Sequence, residues 1–143
     1  MKNYFDSLSQ SLFELLDDNE NASVFFHGEK SDFARLNHGQ VRQIGSVHQA
    51  YATFNLQKDG REISERFICS DNVQKDVEAL QKNLPQLRGA LTVLPEDPFA
   101  VFYDGTELRN EEDTQTGPSL HEAIDDICVA AQGTDLVGFY ANG

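Results

Sequence analysis

Apolar residues recur at helical spacing in three segments of the chain, with polar residues at the positions between them. Such a pattern is typical of amphipathic helices that bury one face. The predicted helices are 4–18, 71–84 and 119–132. In the third helix, Ser119 and Glu122 have the spacing of a capping box, which satisfies free backbone N–H groups at the first turn.

The limits of the second helix are predicted from two features. Asp71 is followed three residues later by Gln74, the spacing of a capping box, so we expect Asp71 to cap the N-terminus. Pro85 has no backbone N–H and its ring clashes with the preceding turn. We therefore expect this helix to stop or kink near Asn83 or Leu84.

Between the first two helices the pattern changes to the two-residue alternation that is typical of β-strands. A tight turn is predicted over 37–40, where Gly follows polar residues. The predicted strands are 22–27, 32–36, 41–44, 47–58, 61–69 and 136–141.

The register of one hairpin can be predicted residue by residue. The dipeptide Asp59-Gly60 suits a two-residue type I′ turn, which places Leu56 opposite Ile63. With this register, apolar side chains share one face of the hairpin and polar side chains largely share the other. Phe54 opposite Glu65 is the exception.

These elements predict an α+β fold, in which amphipathic helices pack on one face of an antiparallel β-sheet. The chain has 143 residues, of which 39% are hydrophobic and ten are Phe, so a single domain can bury a core without disulfides. Residues 97–118 are acidic and interrupted by Pro and Gly, so we expect an irregular segment there. Its apolar anchor would be Phe99, Val101, Phe102 and Tyr103.

The charge of the chain narrows the possible partners. Eleven basic and 24 acidic residues give a net charge of −13, and the basic residues are scattered. Since phosphate backbones are bound by clustered Lys and Arg, we expect no direct contact with nucleic acid or an anionic membrane. The chain also lacks an apolar run of membrane-spanning length and the layout of a secretory signal at its start. A cytoplasmic location is therefore expected.

Two groups of residues were considered as metal ligands. His121-Glu122 begins like the helix of a zinc peptidase, but Asp125 and Asp126 stand where the second histidine would be needed. The remaining histidines lack the spacing of a shared site, although two of them could meet across strands; they are His27, His38 and His48. We predict no metal site and no cofactor in this chain.

A nucleophilic cysteine paired with a histidine is the other enzymatic alternative, that of a small hydrolase. Cys69 lies on the apolar face of the predicted hairpin, and Cys128 borders the buried stripe of the third helix. Neither has a neighbouring basic residue in sequence that would lower its pKa. Both are therefore interpreted as small core residues with free thiols, and no catalytic residue is predicted.

The succession of elements and three sequence segments resemble the N-terminal domain of the TldD/PmbA family. Members of this family are called zinc-dependent proteases and modulators of DNA gyrase. The resemblance runs over nearly the whole chain. The segments that carry it are FARLNHGQVRQ at 33–43, LPEDP at 94–98 and LVGFY at 136–140.

The resemblance implies that residues 1–143 are the N-terminal domain of a longer, two-domain protein. The closing strand is followed by only two residues, which fits that expectation; the alternative is that this strand pairs within the domain and that the two residues are an ordinary tail. In active members the C-terminal domain binds zinc through two histidines and a glutamate on a helix, with a cysteine further on. None of that motif matches a position here, so the resemblance assigns no catalytic or metal-binding residue to this chain. The partners that it implies are the chain's own C-terminal domain, a second subunit and unstructured peptide segments.

The predicted function is that of a non-catalytic domain that shapes the peptide-substrate cleft and the subunit interface of a metallopeptidase. The polar strand face and turn are the candidate contact with peptide or with the other domain. An edge strand there could also pair with an extended peptide through its main chain. The alternative for these residues is ordinary sheet surface. The candidate residues are Arg35, Asn37, His38, Gln40 and Arg42.

A free-standing acidic protein-interaction or regulatory domain is the alternative function. The reading frame distinguishes the two hypotheses. A stop codon directly after Gly143 supports the free-standing domain, whereas continuation into a domain with the metal motif supports the peptidase module.

Overall fold

The computed structural model describes residues 1–101, 109, 111, 113 and 117–143. Within these residues, four strands form an antiparallel sheet in the order β3-β2-β1-β4, accompanied by three helices. The predicted α+β class is confirmed. No helix in this described part is long and apolar enough to cross a membrane. The elements are α1 (Lys2–Phe13), β1 (Asn21–Asn37), β2 (Gln40–Lys58), β3 (Arg61–Ile68), α2 (Val73–Leu91), α3 (Leu120–Ala130) and β4 (Gly138–Asn142).

The chain divides into two compact units, and each takes part of the long strands β1 and β2. Unit 1 comprises Met1–Gly28 and Gln49–Thr106, and unit 2 comprises Glu29–His48 and Glu107–Gly143. That the chain is one domain of a longer protein stays a prediction.

Strands β1 and β2 are longer than the sequence pattern predicts. The segments 22–27 and 32–36 belong to one continuous strand, and so do 41–44 and 47–58. Glycines and charged residues interrupt the apolar alternation, but a sheet is held by backbone hydrogen bonds that do not depend on it. Gly45 is one such interruption: a Cβ there would lie 2.5 Å from Cζ of Phe33. The missing side chain therefore makes room for an aromatic ring over the strand.

Two-residue turns connect β1 to β2 and β2 to β3. His38 and Gly39 have φ angles of 53° and 68°, and Asp59 and Gly60 have 51° and 68°. Positive φ at both central residues is the geometry of a type I′ turn, which matches the twist of the flanking strands. The predicted hairpin register is confirmed, with Leu56 opposite Ile63 and Phe54 opposite Glu65.

The core of unit 1 lies between its part of the sheet and helices α1 and α2. The mismatched pair of the hairpin is accommodated there: Phe54 is fully buried, and Glu65 accepts a hydrogen bond of 3.0 Å from Asn83 of α2. A carboxylate on the covered face is thus paired instead of being left without a partner. The buried residues are Leu8, Leu12, Ala52, Phe54, Leu56, Leu80, Leu84, Leu87 and Leu91.

Helix α2 corrects two predictions. Asn72, not Asp71, is the N-cap; its side chain accepts from the backbone N–H of Lys75 at 3.0 Å. Of the predicted stop or kink near Asn83 or Leu84, the stop is wrong, because the helix runs through Pro85 to Leu91. An interior proline costs about 3 kcal/mol, whereas burying each of Leu87 and Leu91 contributes about 1.5–3 kcal/mol. Burial of the two leucines offsets the proline, so the helix continues.

Helix α1 ends at Phe13, five residues before the predicted limit of 18. Leu15 and Leu16 still pack against the core of unit 1. Their backbone N–H groups bond to Leu12 and Phe13, three residues back, so the last turn is tighter than an α-helix. The apolar stripe therefore predicted burial correctly but overestimated the length of the helix.

Unit 2 has a smaller set of buried side chains, most of them alanines. Helix α3 begins at the predicted capping box, in which the Ser119 side chain accepts from Glu122 and the Glu122 carboxylate accepts from Ser119. Strand β4 begins two residues later than predicted and pairs antiparallel with β1. The buried residues are Ala34, Leu36, Ala123, Ile124 and Ala131.

The expected apolar anchor of segment 97–118 is wrong for the two residues that the structure describes. Phe99 is 85% exposed and Val101 is 82% exposed. Phe102 and Tyr103 lie outside the described residues.

Candidate functional site

A surface groove of about 730 Å³ lies on unit 2, where β1, β2 and β4 run side by side. We call it the arginine groove. It brings together three of the five predicted contact residues with five lining residues that were not predicted, among them Gln43, Val137 and Phe139. The residues that define it are Arg35, Asn37, Arg42, Gln43, Val137 and Phe139.

The position of these residues follows from one turn and one strand pairing. The turn at His38 and Gly39 joins β1 to β2, so Arg35 and Arg42 lie at equal distances from it on neighbouring strands. On the other side of β1, Phe139 pairs directly with Arg35. The backbone N–H of Gly39 donates to Leu136 at 3.0 Å, which holds the turn beside the chain that leads into β4.

Exposed apolar side chains form one side of the arginine groove. Phe139 is 63% exposed and Val137 is 68% exposed. The ring of Phe139 stacks on Phe33, with centroids 5.6 Å apart and an angle of 21° between the planes. Two stacked rings at a groove provide a flat apolar surface, and such exposed surface is a common feature of binding sites.

The two arginines of the groove differ from the others in the chain. Arg61, Arg88 and Arg109 each pair with a carboxylate. Arg66 lies 3.6 Å above the centre of the Tyr51 ring. Within the described residues, the side chains of Arg35 and Arg42 make neither an ion pair nor a hydrogen bond. The groove thus holds two cations without partners in a chain of net charge −13.

The other two predicted contact residues do not line the groove. The His38 ring is largely exposed and hydrogen-bonds Asp135 through Nδ1. Gln40 is exposed at the start of β2. The role of all five residues in binding stays a prediction.

Sequence reasoning missed the aromatic half of the groove. Val137 and Phe139 are two residues apart in the predicted strand 136–141, where the alternation would place them on one face, although β4 itself begins at Gly138. The sequence did not show which strand pairs with this segment. Arg35 and Phe139 are separated by about a hundred residues and meet only through the pairing of β1 with β4.

The environment of Cys69 does not favour a nucleophile. The thiol is half-buried, and this burial raises its pKa, as do the nearby carboxylates of Asp76 and Asp71. A catalytic thiol needs a lowered pKa, so that the thiolate is present at neutral pH. Cys128 is also half-buried, on α3.

A polar cluster lies around Asp76, next to Cys69. The Tyr4 hydroxyl donates to Asp76, which is 4% exposed, and lies near the Cys69 thiol. The same carboxylate accepts from the backbone N–H of Ser70 at 2.9 Å. Burial and the bond to Asp76 raise the pKa of Tyr4, so its proton stays in place. The cluster joins α1, the end of β3 and the start of α2, and its role is structural.

In the part of the chain that the structure describes, the histidines and carboxylates do not form a donor set that fits zinc. His121 Nε2 lies 3.5 Å from the Asp125 carboxylate, and both side chains are exposed. His27 stacks on Tyr51 with centroids 5.1 Å apart. Among the described residues, no group of three or more His, Cys, Asp or Glu side chains is placed to hold a metal ion. A zinc site needs at least three protein ligands, so no step is assigned to a metal in this part of the chain.

A second, smaller pocket of about 220 Å³ lies on unit 1 beside Arg88 and Glu20. Arg88 donates to both carboxylate oxygens of Glu20, at 2.9 and 2.8 Å, and to the carbonyl of Leu15 at 2.9 Å. These bonds to Arg88 lower the pKa of Glu20, and they raise that of Arg88. The guanidinium of Arg88 already has hydrogen-bond partners within the protein. We therefore interpret the pair of Arg88 and Glu20, which we call the clamp, as a structural ion pair and not as a vacant anion site.

Comparison with solved structures identifies a similar fold. The chain matches the crystal structure of a "putative modulator of a DNA gyrase" from Thermotoga maritima with a TM-score of 0.59 and 21% sequence identity. The match covers 85% of this chain but only 27% of that protein, so the chain spans about a quarter of its length. No protein-family model and no curated protein matches the chain. At this identity the likeness shows the fold.

Proposed function

We propose that this chain is a non-catalytic N-terminal domain of a TldD/PmbA-like metallopeptidase. In this role it helps to shape the peptide-substrate cleft and the subunit interface, with its own C-terminal domain and a second subunit as partners. The observation that carries the proposal is the fold match, which covers most of this chain and about a quarter of a protein named as a modulator of DNA gyrase. Zinc would be held by the C-terminal domain, as in active members of the family.

The arginine groove is the proposed contact with unstructured peptide segments. Arg35 and Arg42 offer hydrogen-bond donors, while Phe139 and Val137 offer apolar surface, so the groove combines the two kinds of contact that binding sites for flexible ligands use. Strand β4 lies at the edge of the described sheet. A peptide in extended conformation could therefore add main-chain hydrogen bonds at this edge.

The reading frame downstream of Gly143 tests the membership of a longer peptidase. The proposal expects continuation into a β-rich domain that carries two histidines and a glutamate on one helix, with a cysteine further on. A stop codon at this point would overturn it and favour a free-standing acidic interaction domain.

Binding of an unstructured peptide tests the groove. A short fluorescein-labelled peptide of Gly, Ser, Gln and Phe residues is titrated with the chain, and its anisotropy is measured. We expect saturable binding that is weakened by Phe139→Ser and unchanged by Val129→Ser. Val129 is a suitable control because it is 66% exposed, is also in unit 2 and does not line the groove.

The same mixture is analysed for cleavage products after prolonged incubation with zinc. We expect intact peptide, because the described residues provide no zinc donor set. Cleavage by the purified chain would contradict a non-catalytic domain. Absence of binding by any peptide, or binding that Phe139→Ser leaves unchanged, would remove the arginine groove from the proposal.

A further inference from the structure

The charge of the arginine groove indicates which peptides it binds, and this inference rests on the proposed function. The chain has 24 carboxylate side chains and six arginines, yet two arginines without partners lie on one groove. None of the described residues that line the groove is acidic, whereas Arg61 and Arg109 each pair with a carboxylate.

This arrangement has a cost in stability. Counting back from the two-residue turn, Arg35 on β1 faces Arg42 on β2, and like charges on facing positions of neighbouring strands are destabilising. Within the described residues, no side chain neutralises them. A bound carboxylate would, because each guanidinium can donate two parallel hydrogen bonds to one carboxylate.

The apolar side of the groove adds a second requirement. Phe139 pairs with Arg35 across β1 and β4, and its ring stacks on Phe33. A ligand that reaches both arginines therefore also lies against the exposed ring of Phe139. An apolar side chain next to the acidic residue would bury this surface, and alternate side chains of an extended peptide are spaced to do both.

We propose that the arginine groove binds an acidic, extended segment of another protein. Asp or Glu side chains of that segment pair with Arg35 and Arg42, and a neighbouring apolar side chain packs on Phe139. The net charge of −13 disfavours a long polyanion such as nucleic acid, whereas a short acidic segment needs only the local pair of arginines. The apolar rings also fit a peptide better than a phosphate backbone.

Three fluorescein-labelled peptides of one length and one set of Phe residues test the inference. The first carries glutamates, the second has glutamine at the same positions, and the third has lysine. We expect the acidic peptide to bind at least about tenfold more tightly than the glutamine peptide, since hydrogen bonds to charged groups are the stronger ones. The lysine peptide is expected to bind most weakly, and the preference for acid is expected to decline at high salt.

Variants of the arginines assign that preference to the groove. Arg35→Gln and Arg42→Gln should each remove most of the difference between the acidic and glutamine peptides, while the affinity for the glutamine peptide changes little. Lys82→Gln is the matched control, because it removes one positive charge from the exposed face of α2 in unit 1. Circular dichroism establishes that every variant is folded.

The possible outcomes separate this inference from the proposed function. Equal binding of all three peptides, lost in Phe139→Ser, overturns the acidic preference and leaves the groove as a peptide site. No binding by any peptide overturns the inference and removes the groove from the proposed function, while the reading frame tests the membership of a longer peptidase separately. Tighter binding of a single-stranded oligonucleotide, lost in the arginine variants, would assign the groove to nucleic acid and overturn the inference. A dimer in sedimentation that Arg35→Gln dissociates would instead assign the groove to a second copy of the chain.

Discussion

Units 1 and 2 use the same kinds of residues for different purposes. In unit 1, Phe54 and four leucines of α2 belong to an apolar core, although other large apolar side chains of this unit, such as Ile68, are exposed. Two of its three arginines, Arg61 and Arg88, pair with carboxylates, and the third lies over the Tyr51 ring. In unit 2 most of the described buried residues are alanines, Phe139 and Val137 are exposed, and two of the three arginines have no side-chain partner in the described chain.

This difference indicates that unit 1 mainly stabilises the fold, whereas unit 2 has side chains that are available to bind a partner. A side chain that contributes most of its apolar area to a core has little left for a partner, and an arginine paired within the protein cannot pair with a ligand. Unit 1 therefore has the features of a stable scaffold. Unit 2 retains the apolar area and the charge that a ligand would need, and its small core predicts lower local stability.

The largest expected effect is the loss of a core side chain in unit 1. Phe54→Ala should lower the free energy of unfolding by about 3–5 kcal/mol, because it removes a fully buried ring and leaves a cavity. Phe139→Ala, in unit 2, should lower it by less than about 1 kcal/mol, because that ring is 63% exposed. Urea denaturation followed by circular dichroism measures both. Similar losses for the two variants would contradict the assignment of the core to unit 1.

The next largest expected effect on the free energy of unfolding is the loss of the clamp, the ion pair between Arg88 and Glu20 in unit 1. Arg88→Met should cost about 2–3 kcal/mol, at the low end for a broken ion pair because Arg88 is partly exposed. The reason is that Glu20, whose side chain is 1% exposed, would be left without its main partner. Lys2→Met is the control, since the exposed pair of Lys2 with Asp6 is expected to contribute less than about 0.5 kcal/mol. If both substitutions cost the same in urea denaturation, the clamp is only a surface pair.

The pH dependence of stability distinguishes a buried carboxylate from an exposed one. Hydrogen bonds from Arg88 hold the pKa of Glu20 below its usual range, so Glu20 stabilises the folded state when it is ionised. That contribution is fully present above the unfolded pKa of about 4.3 and is lost as the pH falls through the lower folded pKa. The wild type should therefore exceed Glu20→Gln in stability at pH 7 and lose this advantage in acid.

Glu122 supplies the matched carboxylate of unit 2. Hydrogen bonds from Ser119 lower its pKa, so its dependence on pH has the same sign, but the side chain is fully exposed. The effect of Glu122→Gln should shrink in high salt, whereas that of Glu20→Gln should persist, because buried pairs are screened less. Thermal unfolding of both variants at low and high salt over a series of pH values measures this difference. Equal sensitivity to salt would contradict it.

The smallest expected effect comes from the helix caps. Ser119→Ala should destabilise α3 by about 1 kcal/mol, and Asn72→Ala should destabilise α2 by a similar amount, because each substitution removes an acceptor for a free backbone N–H. Amide hydrogen exchange reports the two helices separately. We expect the change in exchange to be easier to detect in α3, where fewer large side chains are buried. Greater protection in α3 than in α2 in the wild type would contradict the proposed order of local stability.

The predictions from sequence succeeded where the cause is local. Asp59-Gly60 determines its turn through the φ angles that these residues tolerate, and the register of the hairpin follows from that turn. The capping box at Ser119 is likewise a matter of residues three apart. These features depend on few neighbours, so the sequence contains most of the information about them.

The predictions failed where distant residues decide. Pro85 stops a helix unless enough apolar surface beyond it is buried, and that surface is covered only once α2 packs on the sheet. Gly45 interrupts the alternating pattern of its strand, but the Phe33 ring fills the space that a side chain at position 45 would occupy. In both cases a favourable tertiary contact outweighed a local preference.

The same distinction applies to the candidate site. The sequence alone determined that the chain is acidic, that Arg35, Asn37 and Arg42 flank a turn, and that Val137 and Phe139 are two residues apart in an apolar segment. Only the tertiary structure placed β4 against β1, which brings these two sets of residues into one groove, and showed which arginines lack carboxylate partners. The physical reason is that strand pairing and ion pairing across about a hundred residues depend on the whole fold, whereas turn geometry and the alternation of a strand depend only on adjacent residues.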